Sequence, residues 1–320
     1  WGNPDTRTAV TGSYNGYSTT TSFFSQDEID ATEALTVYLG ARLDNWETRG
    51  DSTVATTTLY PKRSATAISP KASAVYRATE ATTLRASFGR SFRAPTNEDM
   101  YTTSVTPITG GTRTTRGDPD LQPERGRTWE AGGEFRITGN TKITATYYET
   151  RLSNLIYLKQ VVTTPPALSL RINAAKARIR GIELGATSRL TSWLELDANY
   201  AYIDSVMLEN AADPLSVGKR LTDSPRNIAG FALTAQQGAW SGSLSARHVS
   251  HSFFTAQNTD AVEGVPGSYD AHTMVNARLG YEFAKGVKGA VAINNPLNTK
   301  AYSYFLLPSR NVTAEMEFSF

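Results

Sequence analysis

Polar and apolar residues alternate with period two over segments of about 9–11 residues, and the pattern recurs along most of the chain. Such a period sends successive side chains to opposite faces, so each segment is a strand with one apolar and one polar face. Leu35, Val37, Leu39, Ala41 and Leu43 oppose Thr36, Tyr38, Gly40, Arg42 and Asp44. Leu84, Ala86 and Phe88 oppose Arg85, Ser87 and Gly89; Trp129, Ala131, Gly133, Phe135 and Ile137 oppose Glu130, Glu134 and Arg136. The same holds for Leu194 to Tyr202, Ala229 to Ala235, Val275 to Phe283, Val287 to Ile293, and the last ten residues, where Val312, Ala314, Met316, Phe318 and Phe320 are the apolar set. Weaker alternation lies near residues 4–12, 20–29, 69–78, 141–151, 178–189 and 240–249. About 14 strands result, most of about the length that a tilted strand needs to cross a bilayer.

The junctions carry a second regularity. Short turns at Asp30–Glu33, Thr79–Ala81, Thr138–Asn140, Leu190–Trp193, Gln236–Ala239 and Ala284–Gly286 alternate with long junctions near 46–68, 91–126, 158–177, 205–223, 251–270 and 296–309. All short turns therefore fall on one side and all long loops on the other, the asymmetry of an up-and-down membrane barrel. Alternation alone also fits a soluble β-sandwich. Strand length, loop asymmetry and aromatics near strand ends (Trp46, Tyr147, Tyr148, Trp193, Tyr202, Trp240, Tyr281) favour the membrane. So does charge: Arg42, Arg85, Glu130, Glu134, Glu183, Glu195, Asp197, Arg247, Arg278, Glu282, Glu315 and Glu317 share the inward parity, and mid-strand outward positions carry almost none. Around Glu149 and Arg151 the parity breaks, which marks a bulge or the edge of the lipid.

Composition agrees. The mean hydropathy is −0.36, and no stretch approaches the roughly 18 apolar residues of a membrane helix, which excludes a helical membrane protein but not a barrel, whose strands average to near neutrality. The most apolar run, Tyr302 to Leu307, is far too short to span. A net charge of +2 points to no nucleic-acid partner, and 0 cysteines exclude disulfides and thiolate metal sites. Of the 3 histidines, His248 and His251 would face opposite ways on one strand and suit no metal. No P-loop, G-x-S-x-G or H-E-x-x-H occurs, and Glu315 with Glu317 reads as wall rather than as a glycosidase pair. No cofactor and no enzymatic activity are expected. Arg116-Gly117-Asp118 and the sequon at Asn311 are coincidental.

Several motifs occur in one order. Ser91–Pro95 (SFRAP) is followed by Gly117–Glu124 (GDPDLQPE) and Trp129–Gly132 (WEAG), after SFFSQDEI and Leu35–Glu47; Arg180–Ala186 (RGIELGA) and Asn294–Tyr302 (NNPLNTKAY) come later. Together they resemble TonB-dependent outer-membrane receptors, with Asp118 in place of the usual Asn and an unusual Pro296. The resemblance implies a 22-stranded barrel filled by an N-terminal plug and driven through TonB. On that reading residues 1–320 are the C-terminal portion of the barrel. The plug and the first strands lie outside the chain, and Trp1 is an internal start.

The resemblance further implies a Gram-negative outer-membrane receptor importing a scarce nutrient, such as a ferric siderophore, another metal chelate or cobalamin. Its partners would be that small molecule, its plug and TonB, the membrane lipid and the barrel-assembly machinery. Tyr101, Arg113, Arg116, Phe253 and Phe254 in the long loops are the candidate ligand contacts. The inward charges would hold the plug, and Phe320 would be the assembly signal. A passive channel of about 14 strands, or a surface adhesin, would share the same alternation.

Overall fold

Every alternating segment within residues 12–53 and 56–319, which the computed structural model describes, lies in a β-strand. The wall strands are β1 (Ser13–Thr32), β2 (Leu35–Thr53), β3 (Thr57–Thr79) and β4 (Thr82–Arg93). A short helix, α1 (Asn97–Tyr101), and a hairpin of β5 (Thr103–Ile108) and β6 (Gly111–Arg116) follow. The wall resumes with β7 (Glu124–Thr138), β8 (Thr141–Val162), β9 (Ala167–Arg189), β10 (Leu194–Asn210), β11 (Asn227–Gln237) and β12 (Trp240–Val249). It ends with β13 (His272–Ala284), β14 (Val287–Asn294) and β17 (Asn311–Phe318), after a two-strand ribbon of β15 (Tyr302–Ser303) and β16 (Phe305–Leu306).

The wall strands pair antiparallel, each with the next along the chain, and the β5–β6 hairpin joins the same 15-stranded sheet by lying parallel to β9. Among the described residues the sheet is open, with β1 and β17 at its two edges. Phe320 and nearly all of the 4–12 segment lie outside the described residues.

The six short turns are where alternation placed them. In four of them a threonine hydroxyl (Thr32, Thr79, Thr138, Thr191) accepts from the backbone N–H two residues on, at 3.2–3.3 Å. This is the local side chain-to-backbone bond that makes threonine a turn residue. The other two use Gly238 and Gly286 at φ of 57° and 79°, a region that side-chain-bearing residues avoid.

The long-loop side differs from expectation. β2 and β3 run on to leave only a short connection, so most of 46–68 is hairpin; β8 and β9 do the same through 158–177. A 23-residue strand such as β9 reaches about 75 Å. Above the bilayer the outward face is wet and the inward face is packed under the chain after β4, as at Thr48, Ser169 and Ala177, so the apolar-polar alternation stops, yet each N–H and C=O still needs a partner and the ladder supplies it.

Register separates the two faces. Rows such as Leu84–Gly133–Ala145–Leu184–Tyr200–Ala229 cross the sheet on one side, while Arg42–Ser69 and Ser87–Glu130–Tyr148 lie on the other. Among the described residues no second sheet covers the apolar side: Leu279, Phe283, Val291 and Met316 are each more than half exposed. The 20068 Å² of accessible surface is about half again the roughly 13,000 Å² of a compact protein of this mass. A sandwich is excluded, because its core would cover these side chains; the apolar face is the lipid-facing outside of a membrane barrel. The apolar band is nine residues long on β2, β10 and β13, about 30 Å along a strand and about 23 Å high at a 40° tilt. Asp27, opposite Leu39 on edge strand β1, is the charge within it.

The parity break at Glu149 and Arg151 is the lipid boundary. β8 keeps unshifted register on both sides from Lys142 to Leu152, and the bulge against β9 comes afterwards. Trp46 and Tyr148, read as girdle aromatics, stand on the polar face instead: Trp46 is in register with Arg42 and Asp44, and Tyr148 sits opposite Glu130.

Candidate functional site

All twelve inward-parity charges named from the sequence lie on one face of the sheet. Arg85 sits across from Gly132, Thr146 across from Glu183, Asp197 across from Thr187, and Arg247 across from Gly230. Towards the short-turn end, Glu282, Lys288 and Glu317 line up across three strands, with Glu315 and Arg278 bonded just above. Some of these groups are fully engaged. Asp44, 1 % exposed, accepts from the Arg42 guanidinium at 2.7 Å and the Ser22 hydroxyl at 2.6 Å. Others are not: among the described residues Glu183, Glu195, Arg247, Glu282 and Glu317 make no side-chain hydrogen bond or salt bridge. The face thus presents both signs of charge with unused hydrogen-bonding capacity, which suits a polar partner and not lipid.

At the long-loop end, the chain after β4 folds onto this polar face. Gly16 and Gly50 are directly opposed on β1 and β2 and make a flat spot there. Asn97 lies over the first, donating to its carbonyl at 2.8 Å, and the Tyr101 ring lies over the second, 2.6 Å from where a Cβ would stand. Helix α1 is closed by a capping box between Thr96 and Asp99, and Asp99 also pairs with Arg171 of β9 at 3.0 Å. Tyr101 is 1 % exposed, packs with Trp46, Met100 and Leu121, stacks on Tyr60 at 5.5 Å, and bonds the Thr48 hydroxyl at 3.0 Å. It is therefore an anchor, and the expectation that it touches ligand is corrected: its ring face is already covered. Glu124 accepts from Nε and one Nη of Arg93 at 2.6 and 2.7 Å and from the N–H of Ile156 at 2.8 Å, which fixes the base of the loop. Of the other loop candidates, Arg113 is half-buried on β6, and Arg116 is exposed at its end.

The loops after β10, β12 and β14 interlock beside it. Asp270 accepts from Ser268, Gly264 N–H and Tyr302 N–H at 2.6–2.9 Å, and Asp260 binds the Thr255 hydroxyl and the N–H groups of Phe254 and Thr255. Burial pushes both carboxyls up, but these donors outweigh it and hold both below the usual aspartate value. Asn295, 1 % exposed at φ 51°, donates to Thr299 and Pro308 carbonyls and accepts from Thr299 N–H, so the NNPLNTKAY box is a turn scaffold.

This frame presents rings. Phe254 lies 6.5 Å from Tyr269 and 5.4 Å from Tyr304, and Tyr304 meets Phe305 edge-on at 5.0 Å. Phe253 packs edge-on against His251 at 4.7 Å, with the Arg220 guanidinium 5.6 Å above its ring. Tyr304, at φ 64°, occupies a conformation costly for a bulky residue. Phe254, Tyr304 and Phe305 are 53 %, 40 % and 76 % exposed. Sequence reasoning found Phe253 and Phe254 but not Tyr269, Tyr304 or Phe305. The signal was present, since Tyr302 to Leu307 is the most apolar run of the chain and lies in an external loop.

Comparison with known proteins places this architecture. A profile described as "TonB dependent receptor-like, beta-barrel" matches residues 1–295. The ferrioxamine B receptor of Salmonella typhimurium strain LT2 is 26 % identical over 204 residues, 58 % of this chain and 27 % of that protein. The vitamin B12 transporter BtuB of Photobacterium profundum is 24 % identical over 270 residues, 82 % of this chain and 38 % of that protein. Among solved structures, the siderophore receptor PiuA of Acinetobacter baumannii has a TM-score of 0.75 at 17 % identity, covering 95 % of this chain and 44 % of that one. The copper transporter OprC has a TM-score of 0.73 at 20 % identity, covering 97 % of this chain and 48 % of that one. The chain thus spans less than half the length of each of these relatives.

Proposed function

The chain belongs to the TonB-dependent receptor β-barrel family of Gram-negative outer membranes, and on that premise we propose that it is wall and mouth of an active nutrient importer. The family's relatives named above are receptors and transporters rather than enzymes. The nutrient is a scarce metal chelate or cofactor of the ferric siderophore or cobalamin kind. It is captured by Phe253, Phe254, Tyr304 and Phe305 at the mouth, with Arg113 and Arg116 as cationic contacts. Exposed rings on a braced loop frame offer flat contact area at small ordering cost, which suits a bulky, partly aromatic ligand.

The observation that carries the reading is the set of unsatisfied charges on the polar face, Glu183, Glu195, Arg247, Glu282 and Glu317, both signs within one wall. They suit a polar plug domain held by hydrogen bonds and ion pairs and displaced when TonB pulls on it. Strands completing the barrel and the plug belong to the same receptor.

Deleting the gene and measuring uptake of labelled ferric chelates and cobalamin, with and without a protonophore, tests this. Loss of one uptake that the protonophore also abolishes is expected. Unchanged uptake of every nutrient, or stable open-channel current from the full-length protein in planar bilayers, would overturn it.

A further inference from the structure

Above the apolar band, the outward face changes to guanidinium. One row across four wall strands reads Arg90, Arg127, Arg151 and Arg178, and the row beneath it includes Glu149, Arg180 and Asp204. The register from these rows down to Leu84, Gly133, Ala145 and Leu184 is unbroken on each of these strands, so all of them point to the lipid side. Adjacent strands are about 4.8 Å apart, so the four-arginine row is about 14 Å long, roughly one headgroup across. Five arginines face two carboxylates. Glu149 bonds Arg151 at 2.7 Å, and Asp204 lies 2.9 Å from Arg180 and 3.4 Å from Arg178.

Arg90 and Arg127 are exposed, and among the described residues they have no acidic partner. The Arg178 Nε is buried with no hydrogen-bond partner. A solvated ion-pair face would match its charges; this one has donors left over, at the height where the acyl chains end.

We infer that Arg90, Arg127, Arg151, Arg178 and Arg180 form an outward patch that binds the phosphate groups of an outer-leaflet lipid headgroup. The guanidinium fork matches phosphate oxygens two at a time. The long side chains carry their charge out of the hydrocarbon to headgroup level. Glu149 and Asp204 hold three of the five in place and leave Arg90 and Arg127 to supply the excess charge. The partner is a lipid and not free phosphate, because the rings and aliphatic groups directly below (Phe88, Trp129, Tyr147, Ile182) continue the surface down into the acyl region. The inference rests on the outer-membrane placement of the barrel, and it is independent of which nutrient is carried.

The test reconstitutes the full-length receptor in phosphatidylcholine nanodiscs containing a small fraction of a bisphosphorylated glucosamine-disaccharide lipid, and counts retained lipid per barrel by native mass spectrometry. Wild type retains this lipid about tenfold more than the same lipid with both phosphates removed, and the R90Q/R127Q pair loses about tenfold of that retention. Millimolar inorganic phosphate does not displace the lipid, and Lys285→Gln at the short-turn end retains it fully. Equal retention of the two lipids by wild type would overturn the inference without any variant. So would a double variant that binds as wild type, displacement by free phosphate, or equal loss in Lys285→Gln. Nutrient uptake by the double variant stays normal, which separates this result from a failure of the importer reading.

Discussion

Replacing Tyr101 decides between two roles for one of the loop's aromatics. In Tyr101→Ala a ring that is 1 % exposed leaves the cluster of Trp46, Met100 and Leu121, and the Thr48 hydroxyl loses its partner. Truncating a buried aromatic costs about 3–5 kcal/mol. Tyr101→Phe keeps the stacking on Tyr60 and forfeits a single neutral hydrogen bond, about 1 kcal/mol. The barrel ladder does not include α1, so the loss falls on local opening of residues 96–123 rather than on global unfolding. At 1.4 kcal/mol per tenfold, opening of this segment rises from about a hundredfold to a few thousandfold for alanine and about fivefold for phenylalanine. Amide hydrogen exchange across residues 96–123, in detergent or nanodiscs, reads this directly, with β10 to β14 as the internal reference. If exchange were unchanged in Tyr101→Ala while nutrient affinity collapsed, the ring would be a ligand contact and the anchor assignment would be wrong.

Three further outcomes follow from the same geometry. Asp260 and Asp270 are held below the usual aspartate value, so their bonds contribute fully above about pH 5 and are lost as pH falls below about 4. Exchange protection across residues 250–271 should fall in acid while β13 stays protected; protection lost instead between pH 8 and 6 would contradict the assignment. Leu279→Arg, on the apolar face, should destabilise the folded barrel by about 2–4 kcal/mol in lipid unfolding titrations, whereas Asn276→Arg on the polar face should cost under about 1 kcal/mol. Tyr304→Gly should relieve about 1–2 kcal/mol of backbone strain, remove the ring from Phe254 and Phe305, and weaken nutrient binding, and unchanged binding would remove Tyr304 from the mouth.

The wall was legible because each of its rules is local. Period-two alternation located β2, β4, β7, β10 and β13, and its breaks located the short turns, which threonine hydroxyls or glycines close. What stayed hidden depends on the third dimension. Trp46 looked like a girdle residue because aromatics near strand ends usually are. Its even parity with Arg42 and Asp44 placed it on the polar face, and only the arrival of α1 from fifty residues downstream explains its burial. Residues 46–68 read as a loop because β2 and β3 above the membrane are wet on the outward side and carry polar residues such as Thr48 and Ser52 on the side packed under α1, so their alternation is lost. The mouth was half visible: Phe253 and Phe254 stood out as a pair. Tyr269 and Tyr304 joined them only through loop packing that Asp270 and Asn295 organise by hydrogen bonds, and those bonds leave no periodic trace.

The central claim is that one face of this sheet meets lipid and the other a polar interior. The chain has 0 cysteines, so within it a single cysteine placed at each position in turn from Leu35 to Arg49 of β2 can be spin-labelled in the reconstituted protein. Collision with oxygen dissolved in the bilayer should peak at positions 35, 37, 39, 41 and 43, dip at positions 36 to 44 between them, and lose its alternation beyond 45, where Glu47 and Arg49 rise above the lipid. Alternation in the opposite phase, or a flat profile across the whole strand, would contradict the account.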